Sequence, residues 1–165
     1  MAKQPRWSAK LSAVENARTQ LPSLVKRFFR AARKATKSES PADLHKLRLA
    51  AKRLRYTLEL FESLYGPVLE RRLSQLRRLQ GYLGDISDIA TTRAMFANTA
   101  GMRGPDLARL DAYLDTRLGD CLAAFRKYWR TVVDAPGEQE RWMTYFARFA
   151  RPERPAKAVR GSRTV

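Results

Sequence analysis

Apolar residues recur at three- and four-residue intervals along most of this chain, the spacing of amphipathic helices. The clearest case is Leu44, Leu47, Ala51, Leu54, Leu58, Phe61 and Tyr65, one seam set between start and stop signals. Ser40 suits an N-cap, Pro41 the first helical position, and Asp43 lies three residues after the cap, as in a capping box. Gly66 offers a left-handed exit and Pro67 prevents continuation. Upstream, Leu11, Val14, Leu21, Val25, Phe28, Ala32 and Ala35 predict a helix from about Ser8 to Thr36, with a kink or a fresh start at Pro22. Downstream, Pro67 opens a third helix with Leu69, Leu73, Leu76, Leu79 and Leu83 inward. Gly81 and Gly84 weaken it, so Leu83 to Ile89 (LGDISDI) predicts a break or sharp bend, with Asp85 or Ser87 capping a continuation to about Asn98.

Residues 99–104 read as the one sizeable loop. A fourth long helix is predicted from Pro105 to about Val133, on a seam of Leu107, Leu110, Leu114, Leu118, Cys121, Phe125, Trp129 and Val132. Ala135-Pro136-Gly137 ends it, and a short helix from Glu138 to Ala150 packs Trp142, Phe146 and Phe149. Residues 151–165 hold no large hydrophobic residue except valine and predict a flexible basic tail. No alternating period-2 segment, glycine-rich phosphate loop or internal repeat interrupts the helical pattern. The expected fold is all-α, an antiparallel four-helix bundle with an additional short C-terminal helix, built as one domain by residues 1–150.

Charge changes the picture from a plain bundle to a binding protein. The 165 residues carry 33 Lys and Arg against 16 Asp and Glu, a formal net charge of +17. A field of that strength opposes compactness and suits an anionic partner: nucleic acid, polyphosphate or an acidic surface. One cysteine allows no intramolecular disulfide, and one histidine with one cysteine makes no zinc cluster. Without a secretory apolar stretch after Met1 or a long apolar run, a cytoplasmic protein with no membrane insertion is expected.

The cations are not scattered evenly. His45, Arg48, Lys52 and Arg55 repeat the seam's spacing one position later. At about 100° per residue they form a band beside the seam, with Tyr56 at its edge. A solvated cationic face is the ordinary explanation of such a row. Against it, the row borders the core, its first three turns lack acidic partners, and only Glu59 and Glu62 continue it. The preceding helix adds a second stripe, Lys26, Arg30, Arg33 and Lys37, on a neighbour in chain order. Two facing stripes would repel, and a polyanion between them resolves the repulsion. Arginine forks, a lysine point charge and an imidazole N–H suit phosphate, and their linear spread of about 15 Å matches a phosphate chain better than one small metabolite. Asp85 and Asp88 lack a third carboxylate for a metal site and suit capping and arginine pairing. Trp129 and Trp142 lie on apolar faces, where core packing outweighs base stacking.

The stretch LHKLRLAAKRLRYTLELF resembles the signature helix of the CHAD family, histidine-marked α-helical domains that bind inorganic polyphosphate. His45, Arg48, Lys52, Arg53 and Arg55 match its pattern position by position, with Lys52 replacing a usual Arg, and Leu83, Gly84 and Asp88 meet its LGxxxD pattern. The resemblance implies non-catalytic polyphosphate binding through those five residues, and the stripe argument adds Arg27, Arg30, Arg33, Lys37 and Arg78 as residues that widen the groove. It implies no cofactor and a place in the cytoplasm or at polyphosphate granules. Many relatives hold two four-helix bundles, whereas one signature helix in about half that length implies a single bundle acting alone or a homodimer. The triphosphatase signature ExExK of some relatives has no match, since Arg141-Trp142 follow Glu138 and Glu140. The competing readings are a helical nucleic-acid-binding protein and a granule-associated scaffold.

Overall fold

The computed structural model describes residues 7–97 and 104–152. They form six α-helices and no strand: α1 (Ala13–Ser38), α2 (Pro41–Glu59), α3 (Glu62–Tyr65), α4 (Pro67–Ala97), α5 (Pro105–Tyr128) and α6 (Glu138–Arg148). A π-helical turn, Trp129–Val133, continues α5. The expected all-α class holds, with the four long helices α1, α2, α4 and α5 and the short C-terminal α6. The expected loop at 99–104 and the basic tail from 151 fall almost wholly outside the described residues.

Helix starts follow the side-chain caps. Ser12 and Glu15 close a reciprocal capping box, the Ser12 hydroxyl accepting from the Glu15 N–H while the Glu15 carboxylate accepts from the Ser12 N–H at 2.8 Å. This box starts α1 at Ala13 rather than near Ser8. Pro22 lies inside α1 without ending it, so the fresh start expected there does not occur. Leu21 and Val25 on either side are fully buried, and their packing outweighs the one helical hydrogen bond that proline removes. Glu39 closes α1 in the left-handed region at φ 49°, donating its N–H to the Ala35 carbonyl.

Ser40 caps α2 as expected, accepting from the Asp43 N–H at 3.2 Å. The reciprocal half of the box is absent, because Asp43 accepts instead from the Ser38 hydroxyl at 2.7 Å and from Lys46. Those donors hold the Asp43 carboxyl below its usual range. α2 ends at Glu59, and the single turn α3 carries the chain to Gly66, whose φ of 68° supplies the positive-φ exit.

The largest departure from expectation is α4. It runs unbroken for 31 residues through Gly81, Gly84 and the LGDISDI segment, so neither the bend nor an Asp85 or Ser87 cap exists. Glycine costs about 1 kcal/mol in a helix relative to alanine, but burying a leucine or isoleucine side chain returns roughly 1.5–3 kcal/mol. Leu76, Leu79, Leu83 and Ile86 are all buried and carry one seam across both glycines.

One contiguous apolar core extends from Ala17 to Ala150. α2 packs most extensively on α4, α1 lies against α2 and α6, and α5 against α4. Trp129 from the π turn meets both Phe28 and Phe29 of α1, at 6.2 and 5.9 Å between ring centres. Trp142 of α6 meets Phe29 edge-on, and both tryptophans are buried. Tyr65 donates to the Phe146 carbonyl and Tyr145 to the Tyr65 carbonyl, which ties α3 to α6. Burial raises the pKa of both phenols and keeps them as donors. Cys121 is half-buried against the core.

Candidate anion-binding site

The leucine seam of α2 is buried from Leu44 to Leu58, and this fixes where the cations beside it stand. Arg48 and Arg55 lie nearest the core and are half-buried, whereas His45 and Lys52 are further out and exposed. Arg53, about 100° round the helix from Lys52, is exposed as well. Half-exposed Tyr56 forms a platform, with the Arg55 guanidinium 4.5 Å and the Lys52 ammonium 5.7 Å from its ring centre. Four residues of the sequence motif thus form one continuous edge, with Arg53 flanking it.

The neighbour of that edge is α4. Arg55 donates to Glu59 at 2.9 Å, and Arg77 of α4 approaches the same carboxylate oxygen at 3.8 Å. Arg77 also pairs with Glu70, which accepts from Ser74. The Arg55 Nε is buried and has no hydrogen-bond partner, although the side chain as a whole is 18% exposed. A buried guanidinium N–H without an acceptor is costly, and an anion's oxygen would satisfy it. Glu59 is the counterion that a bound anion would have to displace or tolerate. Replacing Glu59 with Gln should therefore tighten polyanion binding, by about threefold to tenfold, and steepen its salt dependence. Parallel titrations at two salt concentrations check this, and weaker binding by the variant would show that Glu59 organises Arg55 rather than competing for it.

The stripe on α1 does not face this edge, contrary to expectation. Arg33 is held by Asp134, its Nε 3.0 Å from one carboxylate oxygen and its Nη2 2.6 Å from the other. Arg33 and Lys37 line a separate hollow of about 440 Å3 with Glu39, Arg126, Trp129 and Arg130, beside the π turn. Arg126 closes on Glu39 there and lowers that carboxyl's pKa. Arg30 is exposed and Arg27 half-buried on the same helix. Arg78 sits over the Tyr128 ring at 5.2 Å, on the α5 side of α4. The physical reason is handedness about α2: Asp43 meets Ser38 at the end of α1, while Glu59 meets Arg77 of α4. Consecutive helices are indeed neighbours, but α1 and α4 occupy different flanks of α2, and the cationic row belongs to the α4 flank.

No local pattern singles out Arg77 as a neighbour of the row; the i,i+4 relation of Arg55 to Glu59 is the one local signal of a pair there. Among the described residues no group of three His, Cys, Asp or Glu side chains could hold a metal ion, and no helix is long and apolar enough to cross a membrane.

Fold and site together define an all-helical protein whose second helix carries a row of cations along the edge of its core. Residues 1–97, more than half of the chain, match the CHAD domain family, and the chain belongs to it. CHAD domains are associated with polyphosphate binding in general. No curated protein and no solved structure matches the chain.

Proposed function

We propose that this protein binds inorganic polyphosphate without chemically altering it, along the edge between α2 and α4. His45, Arg48, Lys52 and Arg55 contact successive phosphates, and Arg53 adds charge from the flank. The observation that carries this reading is the row itself: His45, Arg48, Lys52 and Arg55 along one edge of α2, with Arg48 and Arg55 half-buried beside the core seam. The Arg72 Nε, stacked against Trp142 and Tyr145 on another part of the bundle, is buried and unpaired as well, so the reading rests on the row of cations beside the core rather than on that one atom. Arg30, Arg33, Lys37 and Arg78 contribute long-range attraction rather than contacts in this groove, because they stand on other flanks of the bundle. The protein accompanies polyphosphate in the cytoplasm and at granules.

Net charge alone suits a nucleic acid equally well, and either ligand gives steep salt dependence. A titration of the full chain with long-chain polyphosphate against a tRNA competitor separates the two. At equal phosphate concentration, polyphosphate should displace tRNA, and tRNA should fail to displace polyphosphate. Preference for tRNA would make the protein a nucleic-acid binder.

A further inference from the structure

Arg72 of α4 is a half-buried cation without a counterion. Its guanidinium lies 4.0 Å from the Tyr145 ring centre and 5.7 Å from that of Trp142, both on α6. Its Nε is enclosed without a hydrogen-bond partner, and the side chain makes no ion pair among the described residues. Burial lowers its pKa, although Glu138 stands near enough to attract it. Glu138 closes instead on Arg141. Aromatic faces offset the desolvation of a cation only in part, and a shielded charge with no partner is costly.

The same arginine lines a hollow of about 480 Å3 with Glu140, Arg141, Thr144, Tyr145 and Phe149. Sites for single small molecules usually enclose about 300–1,000 Å3, mostly apolar with a few polar groups. Here the polar groups are the unpaired guanidinium and the Thr144 hydroxyl. The apolar wall is Phe149, stacked on Tyr145 at 5.8 Å between ring centres yet still 52% exposed. Glu140 shares the hollow without pairing with Arg72, and its charge opposes a polyanion there. One free arginine therefore suits a single acidic head. α4 presents Arg77 to α2 and Arg72 to α6, so the hollow stands apart from the cationic row. Every lining residue except Arg72 also lies beyond the family match.

We propose that this hollow is a second ligand site, for a small organic anion that joins one acidic head to a flat aromatic body. The head, a carboxylate or a phosphate ester, accepts paired hydrogen bonds from the Arg72 guanidinium and one from the Thr144 hydroxyl. The body stacks on the exposed face of Phe149. Nucleoside monophosphates and aromatic carboxylates share this chemistry. The site stands whether or not the α2 row holds polyphosphate.

Isothermal titration of the full chain with AMP and with indole-3-acetate tests the site and distinguishes the two sources. At least one of them should bind about tenfold more tightly than orthophosphate, acetate and adenosine, which each lack the ring or the acidic head. Arg72→Gln should weaken that ligand by at least about tenfold and Phe149→Ala by about threefold to tenfold, while long-chain polyphosphate affinity changes by less than about twofold in both. If Arg72→Gln does not melt cooperatively, Phe149→Ala, at an exposed position, decides alone. No binding of either aromatic anion at about 10 mM would overturn the site. Orthophosphate binding as tightly as AMP would overturn the aromatic wall. Binding that survives Arg72→Gln but is lost when Arg48 and Arg55 are both replaced by alanine would place the ligand on α2 and sink the proposal.

Discussion

Replacing Arg48 and Arg55 together by alanine should abolish tight polyphosphate binding while leaving the helical content and melting temperature nearly unchanged. Each arginine offers charge-assisted contacts of about 1.5–3 kcal/mol when well shielded. Both are half-buried rather than enclosed, so solvent screening reduces the pair to roughly 2–4 kcal/mol, a loss of about thirtyfold to a thousandfold. The fold should survive because the residues that hold α2 in place are Leu44, Leu47, Ala51, Leu54 and Leu58, all buried. Neither arginine shares that seam, and the one ion pair lost, Arg55 to Glu59, is partly exposed. Isothermal titration with long-chain polyphosphate, alongside circular dichroism, measures both halves of the expectation. Unchanged affinity in a folded variant would remove these arginines from the site.

The largest expected effect on stability lies far from the cations. Trp142→Ala should destabilise the protein by about 3–5 kcal/mol, a large part of the 5–15 kcal/mol that holds a typical domain together. Trp142 is 1% exposed and meets Phe29 at 5.9 Å and Phe146 at 6.4 Å between ring centres. Truncation would leave a cavity between α1 and α6 that rigid flanking helices cannot close. For a chain of this size the melting temperature should fall by about 6–20 °C. A fall of under about 2 °C would mean that α6 lies outside the cooperative unit. This packing also bears on the extent of the family match. Residues 1–97 include α1, but Phe28 and Phe29 are covered by Trp129 and Trp142, which lie beyond the match.

How much the chain disclosed in advance depended on the range of the interactions involved. The start of α2 was legible because its cap, first-turn proline and seam are all local, and the cationic row follows from the same period, but the seam read through Phe61 and Tyr65 hid the break after Glu59. α4 was misjudged at LGDISDI because two glycines and a cap-like Asp85 are local signals too. The burial of Leu83 and Ile86 that overrides them is set by helices elsewhere in the chain. The partner of the ladder was out of reach for a related reason. Chain order establishes that α1 and α2 adjoin, but the flank each neighbour occupies depends on how the turns at Glu39 and at α3 are wound. The link from Glu59 to Arg77 and the hollow around Arg126 and Arg130 depend on such placement, whereas the Ser12–Glu15 box that begins α1 is a local signature that the apolar Leu11 upstream obscured.

Glu59 carries a consequence for the smallest ligand this edge can hold. One carboxylate serves both Arg55 and Arg77, so the empty groove is partly neutralised from within. Orthophosphate, with about two charges and no reach beyond a single turn, must compete with that resident counterion on nearly equal terms. A long phosphate chain bound as proposed would engage Arg48 and Lys52 as well, its later contacts following from the first at high local concentration. On the proposed reading the built-in carboxylate should act as a length filter, and long chains should bind at concentrations where orthophosphate and short oligomers do not.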